Sequence, residues 1–158
     1  MTNHLGFNVI TELLEMNKLP ERAPMSPDDP VAEIAYQDKY LDKDYNEIDD
    51  SRISAAKVIA LFVSAEWWPG THPFKAKLLQ YVTELKSEGH KIEVINLSGD
   101  RGEGTFKDQL TRTTWMTVPY NTHSDWIDKI NIDGYPYLRF LNNDGSVALY
   151  DAYPALIS

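Results

Sequence analysis

The 158-residue chain contains no cysteine. Disulfides, thiolate metal ligands, iron–sulfur ligation and a cysteine nucleophile are therefore all excluded. Also missing is a long apolar run: nothing approaches the roughly 18 consecutive apolar residues of a membrane span. Positive charge is in short supply, with 15 Lys and Arg against 24 Asp and Glu and a net charge of −9. Nucleic acid is disfavoured as a partner, because phosphate contacts need basic side chains gathered on one face. His4, His72, His90 and His123 show no metal-ligand spacing, and neither a metal nor a cofactor is expected. The N-terminus has no basic stretch before its apolar residues, which Glu12 and Glu15 interrupt. It does not read as a cleaved secretory signal, so an intracellular setting is expected, cytosolic or within an organellar assembly.

What is present is unevenly placed. Residues 28–50 carry nine acids against Lys39 and Lys43, so −7 of the net −9 sits in this one segment. Such a block is either a solvated face or a contact for a basic partner surface. Before it, residues 5–18 put Leu5, Val9, Ile10, Leu13, Leu14 and Met16 mostly on one helical face, and Pro20 stops the helix. Pro20, Pro24, Pro27 and Pro30 then space out a stiff linker. Asp28 or Asp29 followed by Pro30 predicts a second helix over about 30–43, and residues 44–53 read as an acidic loop. Residues 1–53 are thus expected to form a helical and acidic extension, and 54–158 the main domain.

The main domain opens on Val58-Ile59-Ala60-Leu61-Phe62-Val63-Ser64, a continuous apolar run that suits a strand covered on both faces. A turn on Pro69 and Gly70 follows, then a helix from near Thr71. Phe74, Leu78, Tyr81, Val82 and Leu85 recur at helical spacing, and Gly89 is placed to stop the helix. Ile92 to Leu97 make the next strand, completing a βαβ unit whose strands should be parallel. Gly99-Asp100-Arg101-Gly102-Glu103-Gly104 lacks the phosphate-binding fingerprints and reads as a plain surface loop before a helix at 105–112. Trp115 to Tyr120 form a short apolar element, and Ser124 can cap a small helix through Ile130. Tyr137 to Leu141 and Val147 to Tyr150, joined across Asp144-Gly145, form a hairpin.

Four segments in order resemble the nucleoredoxin and tryparedoxin branch of the thioredoxin superfamily. Ser64-Ala65-Glu66-Trp67-Trp68-Pro69-Gly70-Thr71 is similar to that branch's Ser-Ala-x-Trp-Cys-Pro-Pro-Cys. Asn96-Leu97-Ser98-Gly99-Asp100, Trp115-Met116-Thr117-Val118-Pro119-Tyr120 and Ile132-Asp133-Gly134-Tyr135-Pro136-Tyr137-Leu138 match later segments of it. The resemblance covers roughly residues 54–153. It implies an α/β thioredoxin-like fold: a central mixed sheet, a βαβ unit followed by a β-hairpin, and flanking helices.

It also implies that Trp68 and Thr71 stand where the family carries its two cysteines, and that Pro136 is its cis-proline. Without a thiol, no enzymatic thiol–disulfide exchange is expected from the chain. His72 is not expected to act as a base for Thr71, since adjacent helix residues diverge by about 100°. Trp67, Trp68, Pro69, Tyr135 and Pro136 are then candidates for an exposed apolar contact surface, although Trp68 could equally be half-buried core. Two functions stay open. One is an accessory or structural subunit that contacts other protein subunits, in part through residues 1–50. The other is a peptide- or glutathione-binding module using the groove between the Trp67–Thr71 turn and Pro136.

Overall fold

The computed structural model describes residues 36–65, 70–100, 102–110, 113–120, 137–142 and 147–149. The expected helices at 5–18 and 124–130, and the Asn143–Gly145 part of the hairpin turn, lie outside these residues. Ten elements follow one another: β1 (Tyr40–Leu41), β2 (Glu47–Ile48), α1 (Ser51–Ala55), β3 (Val58–Ser64), α2 (Thr71–Ser87), β4 (Ile92–Ser98), α3 (Glu103–Leu110), β5 (Met116–Thr117), β6 (Tyr137–Asn142) and β7 (Val147–Leu149). The strands form one mixed sheet in the order β2-β1-β5-β4-β3-β6-β7. β3, β4 and β5 run parallel, while β6 returns antiparallel beside β3 and β7 pairs antiparallel with β6.

β3 lies near the centre of this sheet and explains its own sequence. Side chains alternate across a strand, so Val58, Ala60 and Phe62 enter one apolar cluster and Ile59, Leu61 and Val63 enter the other. The first cluster is closed by α2, whose Phe74, Leu78, Tyr81, Val82 and Leu85 pack there with Trp115. Phe62 anchors it, its ring centroid 5.8 Å from Phe74 and 5.7 Å from Trp115. The second cluster is covered by Ile53 and Ala56, at and just beyond α1, and by Tyr40 of β1. A strand with apolar partners on both sides needs an unbroken apolar run, and that is what residues 58–63 supply.

The end of α2 is fixed by local hydrogen bonding. Gly89 takes φ +89°, and the N–H groups of Gly89 and His90 donate to the carbonyls of Lys86 and Leu85, each at 3.0 Å. This pair of bonds is the Schellman stop that a glycine just past a helix permits. Below it, Glu93 accepts from Arg52 of α1 at 2.7 Å and pairs with Lys86 of α2 at 3.2 Å. One carboxylate on β4 thereby joins the layers on both faces of the sheet.

The stretch before α1 departs from expectation. Of the helix expected over 30–43, the described part, 36–43, is not helical: Tyr40–Leu41 is a strand, paired with Glu47–Ile48 and, at Leu41, with Thr117 of β5. The expected loop over 44–53 contains β2 and the first residues of α1. The cause is local and tertiary together. Asp42 caps the turn, its carboxylate accepting the N–H groups of Asp44 and Asn46 at 2.9 Å each. Tyr40 is fully buried on the sheet, a gain that an exposed acidic helix could not offer. The Gly99–Gly104 loop also differs from a plain surface loop, because Asp100 is fully buried at its start.

Candidate functional site

The C-terminal ends of β3 and β4 lie side by side, with Ser64 opposite Ser98, and α2 starts from the same end at Thr71. Here a thioredoxin-like scaffold would hold its chemistry. Gly70 precedes the helix in αR conformation and provides no side-chain cap. Thr71 is fully buried, and its hydroxyl donates to the carbonyl of Ala65 at 2.7 Å. That bond staples the start of α2 to the residue just after β3. The hydroxyl proton is committed to a backbone oxygen, and Thr71 is structural in this arrangement. His72, the next residue, is exposed, so the two side chains take opposite surroundings, as their helical divergence requires.

The neighbouring end of β4 is polar and buried. The Ser98 hydroxyl donates to the Asp100 carboxylate at 2.8 Å and accepts the Asp100 N–H at 3.0 Å. One strand over, the Asn96 amide donates to the Thr117 hydroxyl at 3.2 Å, and that hydroxyl donates to the carbonyl of Asn96 at 3.1 Å. Residues 96–100 thus carry three buried polar side chains: Ser98 and Asp100 hold one another, while Asn96 is tied to Thr117 through its amide nitrogen and leaves its side-chain oxygen without a hydrogen-bond partner. Among the described residues, no group of three or more His, Asp or Glu is placed to hold a metal ion. No described helix is long and apolar enough to cross a membrane.

Of the residues singled out from sequence, Thr71 is the one this site places. Trp67, Trp68, Pro69, Tyr135 and Pro136 lie outside the described residues. β6 begins at Tyr137, opposite Val63 of β3, so the strand following Pro136 starts beside the strand that leads to the Trp turn.

A cluster that the motifs did not indicate sits where the β1–β2 turn meets α3. Tyr45 has φ +69°, an unusual conformation for a residue with a side chain. Its hydroxyl donates to the Glu103 carboxylate, its ring meets Phe106 edge-on at 6.0 Å, and the Lys107 ammonium lies 4.4 Å from the ring centroid. Burial first, and then the adjacent Glu103 carboxylate, push the Tyr45 hydroxyl up to about 12. The signal available in the sequence was a tyrosine inside an Asp-Lys-Asp-Tyr-Asn turn, which local spacing alone does not connect to Glu103.

Comparison with known proteins agrees with this geometry. The family described as thioredoxin-like matches residues 56–147. Nucleoredoxin of Bos taurus is 31% identical over 93 residues, which is 56% of this chain and 21% of the relative. Nucleoredoxin of Xenopus laevis is 26% identical over 110 residues, 68% of this chain and 27% of the relative. The chain therefore spans about a quarter of the length of the curated relatives it matches. Native tryparedoxin I from Crithidia fasciculata superposes with a TM-score of 0.68 at 19% identity, covering 82% of this chain and 91% of that one. Thioredoxin from Wuchereria bancrofti gives 0.62 at 23% identity, with 71% and 80% covered. The chain belongs to the thioredoxin-like family, as a relative of the nucleoredoxins in which both active-site cysteines are absent.

Proposed function

We propose that this chain is a redox-inactive thioredoxin-like module that makes protein–protein contacts as an accessory or structural subunit of a larger intracellular assembly. Residues 1–53 act as its extension, with 40–48 annexed to the sheet of the domain at 54–158. Contacts run through residues 1–50 and through a surface containing Trp67, Trp68, Pro69, Tyr135 and Pro136. One observation carries the reading. At the position aligned with the family's second cysteine, Thr71 is buried with its hydroxyl spent on the Ala65 carbonyl, and the chain has no thiol to offer instead. Thiol–disulfide exchange needs an attacking thiolate, so selection on this scaffold acts through its shape and surface. The same bond weakens the competing reading, a peptide- or glutathione-binding groove between the Trp67–Thr71 turn and Pro136, since Thr71 has no free hydroxyl proton for a ligand.

The test is purification from the native source with chemical cross-linking. A stoichiometric complex whose cross-links reach another chain from residues 1–50 or the Trp turn supports the reading. A monodisperse monomer with no such cross-links sinks it. In parallel, the purified chain should give no dithiol-dependent reduction of insulin disulfides. Turnover above the uncatalysed rate would contradict the loss of redox chemistry.

A further inference from the structure

Between the β1–β2 turn, the start of α3 and the residues after β5 lies a cleft of about 660 Å³, within the size range of ligand sites. Asp38, Lys39, Glu47, Glu103, Tyr45 and Tyr120 are among the residues that line it. Its charges do not balance. Lys39 is already paired with Glu47 at 2.8 Å. Glu103 accepts from the neutral Tyr45 hydroxyl. Among the described residues, no cation lies within ion-pair distance of Glu103 or Asp38. The cleft therefore holds two carboxylates without an ion-pair partner among the described residues, beside two tyrosine rings. Most of its lining residues come from residues 36–50, which carry six acids against Lys39 and Lys43, a field that concentrates cations nearby.

The aromatic part is fixed in advance. Tyr45 is held by Glu103 and Phe106, and Tyr120 is packed on Phe106 with ring centroids 5.2 Å apart. One tyrosine face already attracts a cation, since Lys107 sits over the Tyr45 ring. Preorganised rings and carboxylates lower the cost of ordering a ligand.

We propose that this cleft receives an arginine side chain carried by an extended segment of a partner protein. A guanidinium is planar, stacks on tyrosine and bonds carboxylates through paired N–H groups. The cleft is larger than one side chain and so admits flanking backbone as well. The assignment deepens the contact-module reading and rests on it for its biological setting. Its test uses the purified chain and a defined peptide, so its failure leaves the native-source experiment untouched.

The experiment titrates the isotope-labelled full chain with acetyl-Gly-Arg-Gly-amide and with its citrulline and lysine counterparts, following backbone amide shifts. Saturable shifts centred on Asp38, Tyr45 and Glu103 are expected, with the citrulline peptide about fivefold weaker or worse. Glu103→Gln should weaken arginine binding while still accepting the Tyr45 hydroxyl bond. Asp38→Asn should weaken it too, and because Asp38 is exposed with no partner among the described residues, the fold does not depend on it. Equal binding of citrulline, unsaturable shifts spread over 28–50, or unchanged affinity in Asp38→Asn would each overturn the proposal. Lysine binding as tightly as arginine would overturn the assignment to a guanidinium.

Discussion

Replacing Thr71 by valine keeps the shape of the side chain and removes its one hydroxyl. In the native chain that hydroxyl donates to the Ala65 carbonyl at 2.7 Å, and both residues are fully buried. A neutral hydrogen bond is worth about 1 kcal/mol net, and a buried acceptor left without its donor costs about 1–3 kcal/mol. Thr71→Val should therefore lose about 2 kcal/mol of folding stability. With a urea dependence of about 2 kcal/mol/M, the unfolding midpoint falls by about 1 M. Thr71→Ser keeps the hydroxyl and loses a methyl, so its loss should stay near 1 kcal/mol. Thr71→Cys restores the family's residue with a weak S–H donor and should fall between the two. The assay is equilibrium urea unfolding of all four proteins, read by tryptophan fluorescence and far-UV circular dichroism. A Thr71→Val midpoint equal to wild type would refute the reasoning, because the staple would then carry no energy. So would a Thr71→Ser variant weaker than Thr71→Val.

Three other outcomes follow from the same structure. Phe62→Ala opens a cavity between Phe74 and Trp115 and should cost about 3–5 kcal/mol; a midpoint shift below 0.5 M, worth roughly 1 kcal/mol, would contradict that packing. Gly89→Ala meets nothing within 4 Å, so its penalty is backbone strain alone at φ +89°. About 1–2 kcal/mol is expected, read by thermal unfolding, and an unchanged midpoint would show that the helix stop can relax. Tyr45 has its folded pKa raised to about 12 from an ordinary value of 10.0. Its contribution is therefore complete below pH 10 and is lost as pH rises through 12. Wild type should lose more stability across that window than Tyr45→Phe does, and parallel losses in the two proteins would contradict it.

The domain was legible in sequence wherever one periodicity ruled. β3 showed as an unbroken apolar run because both of its faces are covered. α2 showed through Phe74, Leu78, Tyr81 and Leu85, with Gly89 closing it. Tyr137–Leu141 and Val147 onward showed as a hairpin through their Asp-Gly turn. What failed was short and tertiary. β1 and β2 have two residues each, too few for an alternation to register. Their acids suit a solvated helix by composition, and only the burial of Tyr40 and the Asp42 turn decide otherwise. Asp100 looked like loop because its burial follows from the end of β4, not from its neighbours in sequence. At the candidate site, the absence of cysteine was decisive from composition alone. The commitment of the Thr71 hydroxyl required coordinates, since nothing in the spacing of Ala65 and Thr71 announces a bond.

The annexed hairpin has a consequence for how such a sheet can meet others. Among the described strands, β2 and β7 are the edges. β2 is two residues long and carries the exposed Lys39–Glu47 pair beside it, and short, charged edges resist strand addition. Without the hairpin, β5 would present the parallel side of the sheet to any passing strand. With it, β5 is covered on that side by β1, and among the described strands the sheet ends there on the short, charged β2.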